Sequence, residues 1–158
     1  TFDAVTGTSD SVTVSVGNVT GSADLTLAGI ETVSLAFSGS TNDIDVVATA
    51  AGTLNLSGSS DVTVGNLNTA GSTSLSTISA SGLTGALTLT TGSMSAIGAT
   101  TVNVTTGSGA DVIDVSGHTA GDLSVHLGAG NDKVTIALDA TDTLTGGTGT
   151  DTLATTRL

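Results

Sequence analysis

The sequence predicts an all-β chain wound as a parallel β-solenoid, with about two strands per coil of roughly 20 residues. Three observations carry this. Short runs with an apolar residue at every second position recur along the whole chain, about ten or eleven residues apart from centre to centre. The 158 residues contain no Pro, Cys, Trp or Tyr, so any core is assembled from small aliphatic side chains. A nine-residue pattern of glycines and an aspartate returns three times between Thr106 and Ala154.

The runs, in order, are Val12, Val14 and Val16; Leu25 and Leu27; Val33, Leu35 and Phe37; Ile44 and Val46; Leu54 and Leu56; Val62 and Val64. They continue as Leu75 and Ile78; Leu87 and Leu89; Val102 and Val104; Ile113 and Val115; Leu123, Val125 and Leu127; Val134, Ile136 and Leu138. Thr and Ser fill the positions between, which is the signature of strands buried on one side. No 3.6-residue stripe of useful length occurs. Ala48 to Ala51 hints at a helix, but Gly52 closes it after too few residues to be stable alone. Two strands and two turns therefore take about 21 residues. About eight such coils fit in the chain, making a rod ~38 Å long at ~4.8 Å per coil.

Phe2 and Phe37 are the only aromatics, and Met94 reads as core filler. A core of Val, Leu, Ile, Ala and Thr methyls is thin. Stacked coils suit it, because each buries a few small side chains against similar neighbours. The net charge is −12: thirteen of the 14 acidic residues are Asp, Glu31 is the other, and only Lys133 and Arg157 oppose them. Such a chain repels phosphate backbones and offers no stacking surface, so nucleic acid and anionic membranes are poor partners. No apolar run approaches the ~20 residues of a membrane helix, and Thr1-Phe2-Asp3 lacks the charged start of a signal peptide. The chain begins and ends mid-pattern and reads as a piece of a longer protein.

Catalysis finds little support. No G-x-S-x-G elbow occurs, His126 alternates with Val125 and Leu127 and so faces outward, and His118 lies in a Gly-rich turn. Two histidines eight residues apart without cysteine make a poor zinc site, and a sugar cleft lacks ring faces to stack on. The chain is expected not to be an enzyme.

The repeated pattern reads Thr106-Gly107-Ser108-Gly109-Ala110-Asp111-Val112-Ile113-Asp114, then Leu127-Gly128-Ala129-Gly130-Asn131-Asp132-Lys133-Val134-Thr135, then Gly146-Gly147-Thr148-Gly149-Thr150-Asp151-Thr152-Leu153-Ala154. Glycine permits a sharp turn with bared carbonyls, aspartate brings a hard oxygen, and the aliphatic residue two places on enters a strand. At these residues the chain resembles the RTX nonapeptide family, G-G-x-G-x-D-x-U-x, whose copies stack as a right-handed parallel β-roll with calcium between successive coils. The third copy matches every defined position; the first two carry Thr106 and Leu127 in place of the leading glycine. The resemblance implies one calcium ion between Asp111 and Asp132, completed by the carbonyls of Thr106, Ser108, Gly128 and Gly130. It implies a second between Asp132 and Asp151, completed by those of Leu127, Ala129, Gly147 and Gly149. The whole of 1–158 then reads as a single solenoid segment, with irregular coils in 1–103 and RTX-like calcium-binding coils in 104–158.

Asp111, Asp132 and Asp151 are 21 and 19 residues apart, so the motif recurs once per coil. Calcium is therefore expected along one edge, with Ser116-Gly117-His118-Thr119 and Asp139-Ala140-Thr141-Asp142 as metal-free turns on the other. In the first two thirds, Gly7-Thr8-Ser9-Asp10, Gly39-Ser40-Thr41-Asn42-Asp43 and Gly58-Ser59-Ser60-Asp61 precede strands but lack the second glycine, and read as turns in which Asp bonds its own backbone. Phrases such as Leu27-Ala28-Gly29-Ile30-Glu31-Thr32-Val33, in a Pro-free Thr/Ser/Ala/Gly texture, are similar to surface-layer proteins of Gram-negative bacteria, of the Caulobacter type. That resemblance implies type I secretion, an extracellular location on the cell surface, and calcium-dependent self-association in a lattice or with the rest of its own chain. The alternatives are the stalk of a large RTX adhesin and a calcium-dependent folding or secretion module of an exported enzyme.

Overall fold

The computed structural model describes residues 6–67, 75–90, 101–118 and 121–156; Phe2, Met94, Thr119 and Arg157 lie outside them. Within these residues fourteen strands follow one another and no helix occurs. They are β1 (Ser11–Gly17), β2 (Ala23–Leu27), β3 (Thr32–Ser38), β4 (Thr41–Ala48), β5 (Thr53–Gly58), β6 (Asp61–Leu67) and β7 (Thr77–Leu83). The second half supplies β8 (Leu87–Leu89), β9 (Thr101–Thr105), β10 (Val112–Asp114), β11 (Asp122–His126), β12 (Lys133–Ile136), β13 (Thr143–Thr145) and β14 (Thr152–Thr155). Ala48 to Ala51 closes as a tight turn in which the Ala51 amide donates to the Ala48 carbonyl at 3.1 Å.

Odd strands form one seven-stranded sheet and even strands the other, all pairs parallel. Each coil thus lays one strand in each sheet, as a parallel β-solenoid requires. Following one inward position through the odd sheet, Val12 pairs with Val33, then Leu54, Ile78, Val104, Val125 and Leu144, at spacings of 21, 21, 24, 26, 21 and 19 residues. Seven strands per sheet make six windings between first and last, a stack ~29 Å long at ~4.8 Å per winding. The rod is shorter than the expected eight coils because the two middle windings are longer than 21 residues. Their extra length falls in the connections β6–β7 and β8–β9, which include residues outside those described.

Alternation explains the core. Val33, Leu35, Leu54, Leu56, Val62, Val64, Leu87 and Leu89 point between the sheets and are at most 2% exposed, while the Thr and Ser between them face out. Stacked every ~4.8 Å, they join into one continuous cluster from Val16 to Ile136. Its ends are open: Val12, Val14 and Leu25 at one end and Leu144 at the other are only partly buried, and Leu153 is 49% exposed. β13 and β14 are the strands that the apolar pattern does not reveal. Each has one leucine among threonines and is held mainly by its backbone ladder to β11 or β12.

Candidate metal centre

The connections from odd to even strands all run along one edge. There the turns 106–111, 127–132 and 146–151 lie above one another, because Val112, Lys133 and Thr152 are in register in the even sheet. Asp111, Asp132 and Asp151 each sit one residue earlier and form a ladder. The Leu87 amide donates to Asp111 Oδ1 at 2.7 Å, the Asp111 amide to Asp132 Oδ1 at 2.8 Å, and the Asp132 amide to Asp151 Oδ1 at 3.1 Å. One oxygen of each carboxylate thereby satisfies the backbone of the preceding coil.

The other oxygen is left unpaired, as is Oδ2 of the partly buried Asp10 in the first turn, but here the carboxylates are stacked. Asp111 and Asp132 are each 1% exposed, and the Oδ2 of both is buried with no hydrogen-bond partner. Burial pushes the Asp111 carboxyl above the ordinary aspartate value, against the lowering effects of the Leu87 amide, the nearby Thr106 hydroxyl and the Gly107 amide; the negative Asp132 beside it raises it further. Burial likewise raises Asp132, opposed by the Asp111 amide and assisted by Asp151. A buried anion with an unspent oxygen, facing another of the same sign one coil away, calls for a cation or a proton.

The turns reach this geometry through glycine. Gly128 and Gly147 share φ values of 75° and 86°, and Gly130 and Gly149 share 138° and 133°, so the second and third copies have one backbone conformation. A Cβ at Gly147 or Gly149 would overlap the carbonyl oxygen of Gly128 or Gly130 beneath it. Leu127 in place of the leading glycine therefore does not alter the turn. The first copy does differ: Gly107 and Gly109 are not in the left-handed region, and the buried Thr106 hydroxyl donates to the Leu127 carbonyl at 2.6 Å. Of the eight carbonyls implied as ligands, that of Leu127 accepts this bond and that of Gly128 accepts the Thr148 amide at 3.0 Å. A carbonyl has two lone pairs, so both retain a ligating direction. The donor set of carboxylate and main-chain oxygens fits a hard cation such as calcium. Among the described residues, no three His, Cys, Asp or Glu side chains converge on one point, so carbonyls must supply most of any coordination shell.

The same register continues toward the N-terminus, with Val62 opposite Leu87 and Asn42 opposite Val62. Asn42, 2% exposed, accepts the Val19 amide at 3.1 Å through Oδ1 and donates to the Ser38 carbonyl at 3.1 Å through Nδ2. It is a neutral counterpart of the aspartate rungs. Sequence reasoning does not single it out, since no second glycine precedes it; an Asx three coils before the motif, at the residue entering a strand, was the available signal. Asp43 and Asp61 do not bond their own backbone as expected: Asp61 accepts the Ala86 amide at 2.9 Å and Asp43 the exposed Ser22 hydroxyl at 3.2 Å, each from a neighbouring coil.

The opposite edge behaves differently. Asp142 spends one oxygen on the Leu123 amide at 2.9 Å and the other on the Asp139 amide at 2.9 Å, and Asp114 accepts both the amide and the hydroxyl of Ser116. His126 faces solvent as read, within 3.4 Å of the Ser124 hydroxyl. His118 is 3% exposed with neither ring nitrogen hydrogen-bonded, a burial that its Gly-rich surroundings do not announce. Comparison with protein-family models, with curated proteins and with solved structures finds no match for this chain.

Proposed function

We propose that the chain is a calcium-stabilised structural segment of an exported bacterial surface protein of the surface-layer kind, non-catalytic, in which Asp111, Asp132 and Asp151 hold ions between coils. The observation that carries this reading is the pair of unpartnered, buried Oδ2 atoms on Asp111 and Asp132, one coil apart on one edge. Bound there, calcium supplies positive charge to carboxylates that have lost their water.

The residues couple that charge to folding. Asp111 and Asp132 lie 21 residues apart and meet only when the coils stack, so whatever binds them both favours the stacked state. A ligand at a hundred times its Kd adds ~2.7 kcal/mol, enough to decide the state of a marginal segment. In a calcium-poor cytoplasm the aspartates repel and the chain stays export-competent; in calcium-rich surroundings the edge closes. Titration of the calcium-stripped chain, followed by circular dichroism and calorimetry, tests this. A gain of β-signal that saturates with calcium and not with equal magnesium is expected; a β-spectrum indifferent to calcium removes the coupling.

A further inference from the structure

The two sheets differ sharply in what they turn to solvent. From the even sheet project Asp24, Asp43, Asp45, Asp61, Asp114 and Lys133. From the odd sheet project Ser, Thr, Asn and Ala, stacked in register through Ser11, Thr32, Thr53, Thr77, Asn103 and Ser124. Its ionisable outward residues among the described strands are Asp122 and His126, both on β11. Its side chains are short and several bond back into their own sheet, as when Ser38 donates to the Val16 carbonyl and Ser57 to the Leu35 carbonyl, both at 3.4 Å.

We infer that the outer face of the odd sheet is where two copies of this chain meet face to face. The inference rests on the surface-layer reading proposed above, whose resemblance implies self-association, and names the surface for it. With a net charge of −12, most contacts between copies bring carboxylates together. The odd face is the exception. Hydroxyls already bonded within the sheet lose little on dehydration, and threonine methyls pack flat against one another. In a two-fold arrangement with the stacks antiparallel, β11 lies over β3, whose outward Thr32, Ser34 and Ala36 carry no charge. The face measures ~29 Å by ~17 Å, or ~1,000 Å² for a pair, at the lower limit of specific interfaces. One such contact is weak; repeated in a lattice it becomes strong by avidity.

The chain has no cysteine, so an introduced one is a unique reporter. Ser79 lies on β7, the middle strand of the odd sheet and nearest the proposed two-fold, and Thr88 lies on β8, the middle strand of the even sheet. In calcium and mild oxidant, full-length Ser79→Cys should form covalent dimer at least fivefold faster than Thr88→Cys. In parallel, Thr53→Glu should weaken concentration-dependent association in sedimentation velocity, and Thr63→Glu, on the even face, should not. Equal cross-linking at the two positions, or association unaffected by Thr53→Glu in a chain whose circular dichroism is intact, overturns the inference. Preferential cross-linking at Ser79 that persists without calcium, in a chain indifferent to the ion, instead removes the calcium reading and leaves the face standing.

Discussion

The same edge of the solenoid is built in two ways. In the N-terminal coils the rung position carries Asn42, Val62 and Leu87; in the C-terminal coils it carries Asp111, Asp132 and Asp151. Backbone pairing continues across the change, and Asn42 and Asp132 make the same kind of bond, an amide of the preceding coil to a side-chain oxygen. Asn42 also donates its second polar group to the Ser38 carbonyl and leaves nothing unspent, whereas Asp132 keeps a buried, bare oxygen. A coil is therefore closed by hydrogen bonding alone; the aspartate version adds a charge that must be met from outside the chain. The C-terminal coils are also thinner, with Leu144 partly buried and Leu153 exposed, so the part with the least core has the most to gain from an ion.

Removing calcium should widen that difference most. Amides of β11 to β14 are expected to exchange at least a hundredfold faster in calcium-stripped protein, while those of β3 to β6 hold; uniform change along the chain would erase the distinction between the two regions. Asp132→Asn comes next. It keeps the cap, as Asn42 does, but removes the charge shared by both proposed ions, so calorimetry should show calcium uptake nearly abolished, against roughly half retained in Asp151→Asn. Equal losses would argue against a shared ligand. The reciprocal Asn42→Asp sets a carboxylate against the Ser38 carbonyl with Val62, not an aspartate, at the next rung, and should cost ~2 kcal/mol in a denaturant titration insensitive to calcium.

A smaller effect should appear with pH in the calcium-stripped chain. Burial holds Asp111 and Asp132 above the ordinary value, so the folded form binds protons more tightly than the unfolded one. Their contribution is fully present below about 3.8 and lost as pH rises through the raised values. The Tm of stripped protein should rise on mild acidification from neutral pH, opposite to ordinary acid denaturation; a steady fall would contradict the buried, unpaired state of these carboxylates. The smallest change is expected at Gly21→Ala. Its φ of 83° disfavours a side chain but a Cβ there meets nothing within 4 Å, so the cost is ~1 kcal/mol.

Periodicity made most of the fold legible. The spacing of Val12, Val33 and Leu54, and of Val104 and Val125, by 21 residues is a direct image of the winding, because a parallel coil places equivalent residues one above another. The three aspartates were legible for the same reason, their 21- and 19-residue intervals being the local coil length. β13 was not, since its single leucine, Leu144, gives no two-residue alternation, and β14 was marked only by Leu153 at the aliphatic position of the third motif copy. Nor was the coil count, which depends on how much chain the middle connections absorb.

By itself the sequence determined a thin, stacked, all-β chain with an acidic edge, because two-residue alternation and a recurrent Gly/Asp turn admit few other arrangements. Tertiary structure alone decided which oxygens are spent. Asp142 and Asp132 are the same residue type near similar turns, and stacking gives each one amide donor from the preceding coil, yet Asp142 alone gains a second from Asp139 in its own turn. It also decided which face is free of charge, since strands alternate between two sheets and the aspartates within them fall almost wholly on the even one. Burial and the bonds between coils are properties of neighbours about twenty residues away, and no local stretch of sequence contains them.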